Sequence, residues 1–255
     1  LWSRTFGPLD NAYGHSSCPI LVDGKVILQI DQGPSPEDGK SRLVALDPDT
    51  GKTIWSVARP VSAAWSTPVA AKVGGKTVVV LCANPLVICY DVATGKEIWR
   101  AEGMGGEVAP SATFGDGCIF VAQSSAQAMA LRANDGKQVW ANFELALPDV
   151  SSPVYSAGLL FLSAPDGTLT ALDAKTGKPA WEHPMGKPSL ASLLAGDNGV
   201  LVLSKDGTAQ LVDAGKSFRI LQSTTLGEPI HSSPALVNGR LYLRGEKRLF
   251  CLGAR

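Results

Sequence analysis

This chain contains several similar stretches, and the segments that connect them differ most from one another. Five side chains with binding or catalytic potential lie in these variable segments. They are His15, Trp65, Glu107, Asp149 and His231. Two imidazoles, an indole and the carboxylate of Glu107 or Asp149 that converge on one place would form a polar pocket with a single aromatic surface. Such a pocket suits a sugar, a peptide or another small polar ligand.

Each of these side chains also has a simpler interpretation. His15 and His231 occupy equivalent places, each followed by Ser-Ser, where an imidazole could bond to the backbone at the start of a strand. Metal binding by the two histidines needs further ligands at about 2.1 Å from the ion, and no third ligand is evident. Trp65 could pack between loops instead of stacking on a ligand. We therefore expect no metal site and no catalytic residue.

Serine and carboxylate chemistry find little support. Ser17, Ser66, Ser152 and Ser233 lie near strand starts, where hydroxyl groups bond to the backbone, and no GxSxG motif accompanies them. The segment 31–42 (DQGPSPEDGKSR) contains three carboxylates without the alternating spacing of a calcium loop. Its prolines and glycines predict an exposed loop that could contact another protein.

The five cysteines are Cys18, Cys82, Cys89, Cys118 and Cys251, and no CxxC pair occurs among them. Cys82 and Cys89 flank Asn84-Pro85 and could face each other across a hairpin as a disulfide. Cys89 and Cys251 fill a position that elsewhere holds a small apolar residue, which favours free buried thiols.

A repeated motif shows which elements must position these residues. The segments 45–55 (ALDPDTGKTIW), 89–99 (CYDVATGKEIW), 130–140 (ALRANDGKQVW) and 171–181 (ALDAKTGKPAW) share a small residue first, Gly seventh and Trp eleventh. The tryptophans are 44, 41 and 41 residues apart. A period of about 40 residues is typical of a repeat architecture.

Each repeat contains four strand-sized runs separated by turns. The first hairpin turn recurs at Asp23-Gly24, Gly74-Gly75, Asp116-Gly117, Ala157-Gly158, Asn198-Gly199 and Asn238-Gly239. Glycine closes such turns because it adopts positive φ without steric cost. Repeats of this length with four strands predict an all-β, six-bladed β-propeller of four-stranded antiparallel blades.

The two ends of the chain predict how the ring closes. Residues 1–6 resemble the last strand of a repeat, and the sixth repeat stops after its third strand. We expect the N-terminal strand to pair with the C-terminal repeat, which leaves no sheet edge open. One domain, 1–255, then holds six blades. Their approximate bounds are 15–61, 64–105, 107–147, 149–186, 188–227, and 228–255 completed by 1–6.

Composition excludes some partners. The 23 basic and 23 acidic residues cancel, so no long-range field favours nucleic acid. No apolar run reaches the roughly 18 residues of a membrane helix. The chain opens on Leu1 and has no basic stretch followed by an apolar one, so we expect that any targeting segment is absent from these residues and that localisation has to be inferred.

With the AxDxxTGxxxW motif in view, the chain resembles the pyrroloquinoline-quinone-like propeller proteins, a superfamily that contains quinoprotein alcohol dehydrogenases and BamB-like assembly factors. The motif is intact in the first and fourth repeats, altered in the second and third, and has lost its tryptophan in the fifth. The resemblance implies tryptophan-docking motifs, in which an indole covers the glycine turn of a neighbouring blade. Their residues would be Trp2, Trp55, Trp99, Trp140, Trp181, Gly51, Gly95, Gly136 and Gly177.

The resemblance does not extend to dehydrogenase chemistry. Those enzymes carry an adjacent Cys-Cys pair and carboxylates that hold calcium, and no two cysteines adjoin here. We therefore expect no cofactor, with pyrroloquinoline quinone and calcium as the alternative.

The resulting prediction is a non-catalytic binding or scaffold propeller. It would be a periplasmic or extracellular monomer that binds a protein partner or a small polar ligand at the mouth of the central channel. A quinone- or metal-dependent oxidoreductase and a fragment of a longer eight-bladed protein are the alternatives.

Overall fold

Six antiparallel sheets form the fold, and together they are the blades of a six-bladed β-propeller. The computed structural model describes residues 1–197 and 199–253. Asn198 of the fifth predicted turn and the last two residues of the sixth repeat lie outside the described residues. Successive blades pack face to face. This packing is seen in the apolar clusters, four of which contain residues from neighbouring sheets.

The strands follow one another in simple order within each blade. Blade 1 contains β1 (Ile20–Val22), β2 (Lys25–Ile30), β3 (Arg42–Leu46) and β4 (Thr53–Ala58). Blade 2 contains β5 (Val69–Val73), β6 (Lys76–Cys82), β7 (Leu86–Asp91) and β8 (Glu97–Glu102). Blade 3 contains β9 (Thr113–Gly115), β10 (Cys118–Ala122), β11 (Ala128–Arg132) and β12 (Gln138–Asn142).

The remaining blades repeat this arrangement. Blade 4 contains β13 (Val154–Ser156), β14 (Leu159–Ser163), β15 (Thr168–Asp173) and β16 (Pro179–Pro184). Blade 5 contains β17 (Leu194–Gly196), β18 (Gly199–Leu203), β19 (Thr208–Val212) and β20 (Ile220–Thr225). Blade 6 contains β21 (Ala235–Val237), β22 (Arg240–Arg244) and β23 (Leu249–Gly253).

The central two strands of a blade supply most of the core. Nearly every residue of β6 and β7 is buried, which fits their run of valine, isoleucine and leucine, because both faces of these strands meet neighbouring sheets. The fourth strands, such as β4 and β16, alternate between exposed and half-buried residues.

Five tryptophans connect the N-terminal segment and blades 1 to 4 each to the blade that follows it along the chain. The indole of Trp55 lies so close to Gly95 that a Cβ there would be 2.7 Å from the ring, and Gly136 would meet Trp99 at 2.6 Å. Trp2 lies against Gly51 and Trp140 against Gly177 in the same way. The ring nitrogens donate to backbone carbonyls at Pro48, Val92, Ala133, Ala174 and Gly215, in chain order from Trp2 to Trp181.

The fifth blade shows what happens without this indole. Gln222 lies opposite Leu211 in the register where blade 4 pairs Trp181 with Ala171. A groove of about 400 Å³ remains between blades 5 and 6, lined by leucines such as Leu241 and Leu252. The smaller side chain therefore leaves volume that an indole fills elsewhere.

The N-terminal segment does not close the ring as expected. Blade 6 has three strands, and residues 1–6 form no strand and pair with none in the described part of the chain. Instead, the Trp2 indole donates to Pro48, Arg4 donates to the Gly51 carbonyl at 2.8 Å, and Phe6 packs against the apolar cluster of blade 1. These side-chain contacts hold the segment on blade 1. Its backbone does not pair with β23.

The 31–42 segment is only partly the exposed loop that its composition predicts. Glu37 and Asp38 are exposed and belong to a short 3-10 helix, Pro36–Asp38. Asp31, by contrast, is 1 % exposed and forms a two-point ion pair with Arg59, at 2.8 and 3.1 Å. Asp31 is thus a buried structural carboxylate. Its burial is possible because Arg59, at the start of the loop after β4, places its guanidinium against the carboxylate.

Candidate functional site

A chain of hydrogen bonds links the six blades around the channel. The backbone N–H of Cys18 donates to the Thr67 hydroxyl, and the same bond then runs from Thr67 to Ser111, Ser111 to Ser152, Ser152 to Ser192 and Ser192 to Ser233, at 2.8 to 3.1 Å. We call these six residues, which are Cys18 and five residues with hydroxyl groups, the hydroxyl chain. Each repeat contributes one member just before its first strand, so the chain marks one end of the channel.

The hydroxyl chain lines a cavity of about 710 Å³, which we call the mouth cavity. Its other walls include Tyr13, Trp65, Glu107 and Asp149, from the loops that precede blades 1, 2, 3 and 4. Its volume lies within the range of small-molecule sites. The cavity combines hydroxyl groups, two aromatic rings and two carboxylates.

The rings and the carboxylates are held in place by their surroundings. The Trp65 indole donates to the Gly14 carbonyl at 2.9 Å, and its ring centroid is 5.3 Å from that of Tyr13 at an interplanar angle of 54°. Asp149 accepts a hydrogen bond from Ser124 at 3.1 Å. The Glu107 carboxylate raises the pKa of the Tyr13 phenol, by hydrogen bonding and by its charge.

A second cavity of about 610 Å³ lies beside the first and shares Trp65 and Glu107 with it. Asp10 is its other charged lining residue, and Lys40 pairs with this carboxylate at 2.6 Å. The two cavities therefore adjoin each other on the face that carries the loops before the first strands.

The structure brings together three of the five side chains that the sequence singled out. Trp65, Glu107 and Asp149 line the mouth cavity, whereas His15 and His231 are exposed and are not among its lining residues. The His231 Nε2 atom lies 3.6 Å from the Glu246 carboxylate. The two histidines therefore do not add an imidazole pair to the cavity.

The hydroxyl groups of Ser152 and Ser233 bond to the backbone, as expected from the sequence, but Tyr13 and the chain that these hydroxyl groups belong to were missed. The signal was present in the repeated Ser-Cys-Pro, Ser-Thr-Pro and Ser-Ser-Pro segments that begin at Ser17, Ser66, Ser151 and Ser232. The first residue of such a segment can bond to the backbone, as Ser66 does to the Cys82 carbonyl at 2.6 Å. The second residue is the one that faces the mouth cavity.

The cysteines are free thiols in very different environments. Cys82 pairs with Val87 and Cys89 with Val80 across the hairpin, so the two thiols do not lie opposite each other. Burial raises the pKa of each of these two thiols to about 12. Cys18 and Cys251 are exposed, and Cys18 lines the mouth cavity.

We expect iodoacetamide at pH 8 to modify Cys18 and Cys251 in the folded protein, and Cys82 and Cys89 only after unfolding. A pKa near 12 leaves about a thousandfold fewer thiolates than an ordinary cysteine has, and burial also blocks access. Peptide mass spectrometry after timed labelling measures this order, with labelling in urea as the control. Rapid labelling of Cys82 in the native protein would contradict it.

The residues of the mouth cavity do not fit the quinone and calcium that the family resemblance offered as an alternative. The quinone is a tricarboxylate, but Glu107 and Asp149 are the charged side chains in the lining and carry the same sign. Within residues 1–197 and 199–253, no group of three His, Cys, Asp or Glu side chains has an arrangement that could hold a metal ion.

The fold recurs in several solved structures, although no curated protein matches the chain. A crystal structure of BamB from Moraxella catarrhalis is 20% identical, with a TM-score of 0.71 over 89% of this chain and 68% of that one. A europium-containing methanol dehydrogenase is 13% identical, with a TM-score of 0.63, and this chain spans 53% of its length. The computationally designed Ika8 protein is 13% identical, with a TM-score of 0.69 over 93% and 70% of the two chains. At these identities the likeness shows the fold alone.

The sequence itself carries the family assignment. A family model described as outer membrane protein assembly factor BamB matches residues 2–102 and 83–197, which is most of the chain. The matched region contains all four intact or altered docking motifs. No helix in the described residues has the length and apolar character needed to cross a membrane.

The repeated motif, the propeller fold and the family model agree. This chain therefore belongs to the BamB family of propeller repeat proteins.

Proposed function

We propose that this protein is a non-catalytic binding propeller that holds a protein partner or a small polar ligand at the mouth cavity. The observation that carries the proposal is the cavity itself, where loops from four blades present Tyr13, Trp65, Glu107 and Asp149 above the hydroxyl chain. Hydroxyl groups, carboxylates and indole faces are binding groups, and no nucleophile is paired with a base among the residues that line the cavity.

The family description adds the scaffold role. The family model is named for an outer membrane protein assembly factor, and a matching structure is a BamB. By analogy we propose a periplasmic or extracellular monomer whose rigid blades present this loop face to a partner. Rigid presentation favours binding because little conformational entropy is lost when the partner docks.

Trp65 is the residue whose replacement tests the proposal. In saturation-transfer NMR with a panel of neutral sugars, blocked tripeptides, organic anions and organic cations, we expect at least one class to bind the wild type. Trp65→Leu should weaken that binding about tenfold, since indole contacts contribute roughly 1 kcal/mol or more.

The matched control is Phe143→Leu, which removes an exposed aromatic side chain, 69% accessible, from a loop before blade 4 but outside the mouth cavity. It should leave binding unchanged. For a protein partner, a photo-crosslinking amino acid at position 13 should capture it, whereas one at Asp49, in a turn at the opposite end of blade 1, should not. If no ligand or partner depends on position 13 or Trp65, the proposal fails.

A further inference from the structure

The mouth cavity has a one-sided charge. Glu107 and Asp149 line it, and no lysine or arginine is among its lining residues. Neither carboxylate forms an ion pair in the part of the chain that the structure describes. The two negative charges are therefore left for whatever enters the cavity.

Two cations on neighbouring loops are already engaged. Lys40 pairs with Asp10 at the edge of the neighbouring cavity, at 2.6 Å. Arg59, which begins the loop that carries Trp65, is buried and paired with Asp31. Neither is available to neutralise Glu107 or Asp149 without breaking an existing pair.

The aromatic walls add a second preference for positive charge. The Tyr13 and Trp65 rings stand at 54° to each other with centroids 5.3 Å apart, so together they form a corner. Ring faces attract ammonium and guanidinium groups, and tryptophan does so most strongly. The bond from the Trp65 indole to Gly14 fixes the orientation of this wall.

The loops that carry these groups are tied to one another. The Gln123 side chain donates to the backbone carbonyl of Glu107 at 2.8 Å, and the backbone N–H of Trp65 donates to the Val108 carbonyl at 2.9 Å. Ser124 donates to Asp149 at 3.1 Å. The loops that carry the aromatic corner and the carboxylates are thus fixed relative to one another before any ligand arrives, which lowers the entropic cost of binding.

We propose that the mouth cavity binds an organic cation, a primary ammonium or guanidinium group, between the Tyr13–Trp65 corner and the carboxylates of Glu107 and Asp149. This inference rests on the proposed function and specifies its ligand class. The group could belong to a free amine or to an arginine side chain of a peptide, because both present the same chemistry to the cavity.

Isothermal titration calorimetry separates the possibilities. The probes are agmatine, acetyl-Gly-Arg-Gly-amide, and matched tripeptides with glutamine or glutamate in place of arginine. We expect agmatine or the arginine peptide to bind and the other two peptides not to bind. The tighter of the two cationic probes identifies the source. Raising the salt concentration from 0.05 to 0.5 M should weaken binding severalfold, because mobile ions screen exposed charges.

Charge-removing variants locate the site. Glu107→Gln and Asp149→Asn should each weaken binding about three- to fivefold, and the double variant should weaken it more than either. The control Glu144→Gln removes an exposed carboxylate from the segment before blade 4, outside the cavity, and should change binding less than twofold. Circular dichroism confirms that each variant is folded, and the salt series on the wild type needs no variant.

The outcomes distinguish this inference from the proposed function. If a neutral sugar or the glutamine peptide binds through Trp65 as tightly as the cationic probes, the cavity is a binding site but not a cation site, and the inference is overturned. The same holds if Glu107→Gln and Asp149→Asn both bind agmatine and the arginine peptide like the wild type. If no probe binds and no partner is captured at the mouth cavity, the proposed function fails as well.

Discussion

Replacing Trp99 with alanine is expected to lower the free energy of unfolding by about 3–5 kcal/mol, a large share of what holds a domain together. Trp99 is 7% exposed, and its ring nitrogen donates to the Ala133 carbonyl at 2.8 Å. Its loss leaves a cavity between blades 2 and 3 and an unpaired carbonyl in the turn below. Urea unfolding followed by circular dichroism measures the change.

The control for this prediction lies on the same strand. Ile98 is 43% exposed on the other face of β8, so Ile98→Ala should cost no more than about 1 kcal/mol. A loss below about 1 kcal/mol for Trp99→Ala would show that the indole contacts do not stabilise the propeller.

A glycine pair isolates the indole contact from backbone strain. Gly136 and Gly117 have φ values of 70° and 73°, but a Cβ meets Trp99 at 2.6 Å in the first and nothing within 4 Å in the second. Both alanine variants incur the cost of a left-handed residue, about 1 kcal/mol. Gly136→Ala should cost more than Gly117→Ala, and the excess should shrink in the Trp99→Ala background.

The buried ion pair between Asp31 and Arg59 provides the second large effect. Asp31→Leu should destabilise the protein by about 3–5 kcal/mol, because it strands a guanidinium that is fully buried. Gln29 and Tyr90 also contact this pair, at 2.7 and 3.3 Å, but neither carries a charge that could replace the carboxylate. Chemical denaturation of the single variant measures the loss.

A double variant tests whether stranded charge is the cause. Asp31→Leu combined with Arg59→Met removes both charges at similar volume and should recover most of the lost stability. The exposed pair of Arg132 and Asp135 offers the contrast, since Asp135→Asn should cost less than about 1 kcal/mol. A double variant as unstable as Asp31→Leu alone would mean that the pair's hydrogen bonds, rather than its charge balance, matter most.

Some features of the mouth cavity could be anticipated and others could not. The variable segments pointed to Trp65, Glu107 and Asp149 because these residues break a repeated pattern. Tyr13 belongs to the same kind of segment as His15, and its inclusion depends on the path of the loop. In a loop, a small change in the backbone path decides which of two neighbouring side chains faces the channel. Loops lack the regular alternation of a strand, so the sequence does not predict this choice.

The amino-acid sequence by itself determined the number of blades and the order of the strands within them. Strand formation, hairpin turns and a repeat of about 40 residues depend on neighbours in sequence, so they can be seen without a structure. Tertiary structure alone decided that Asp31 is buried with Arg59, that residues 1–6 lie on blade 1 without pairing with blade 6, and that His15 and His231 stay outside the mouth cavity. These outcomes depend on contacts between residues that are tens of positions apart in the sequence. Such contacts form only when the blades pack together.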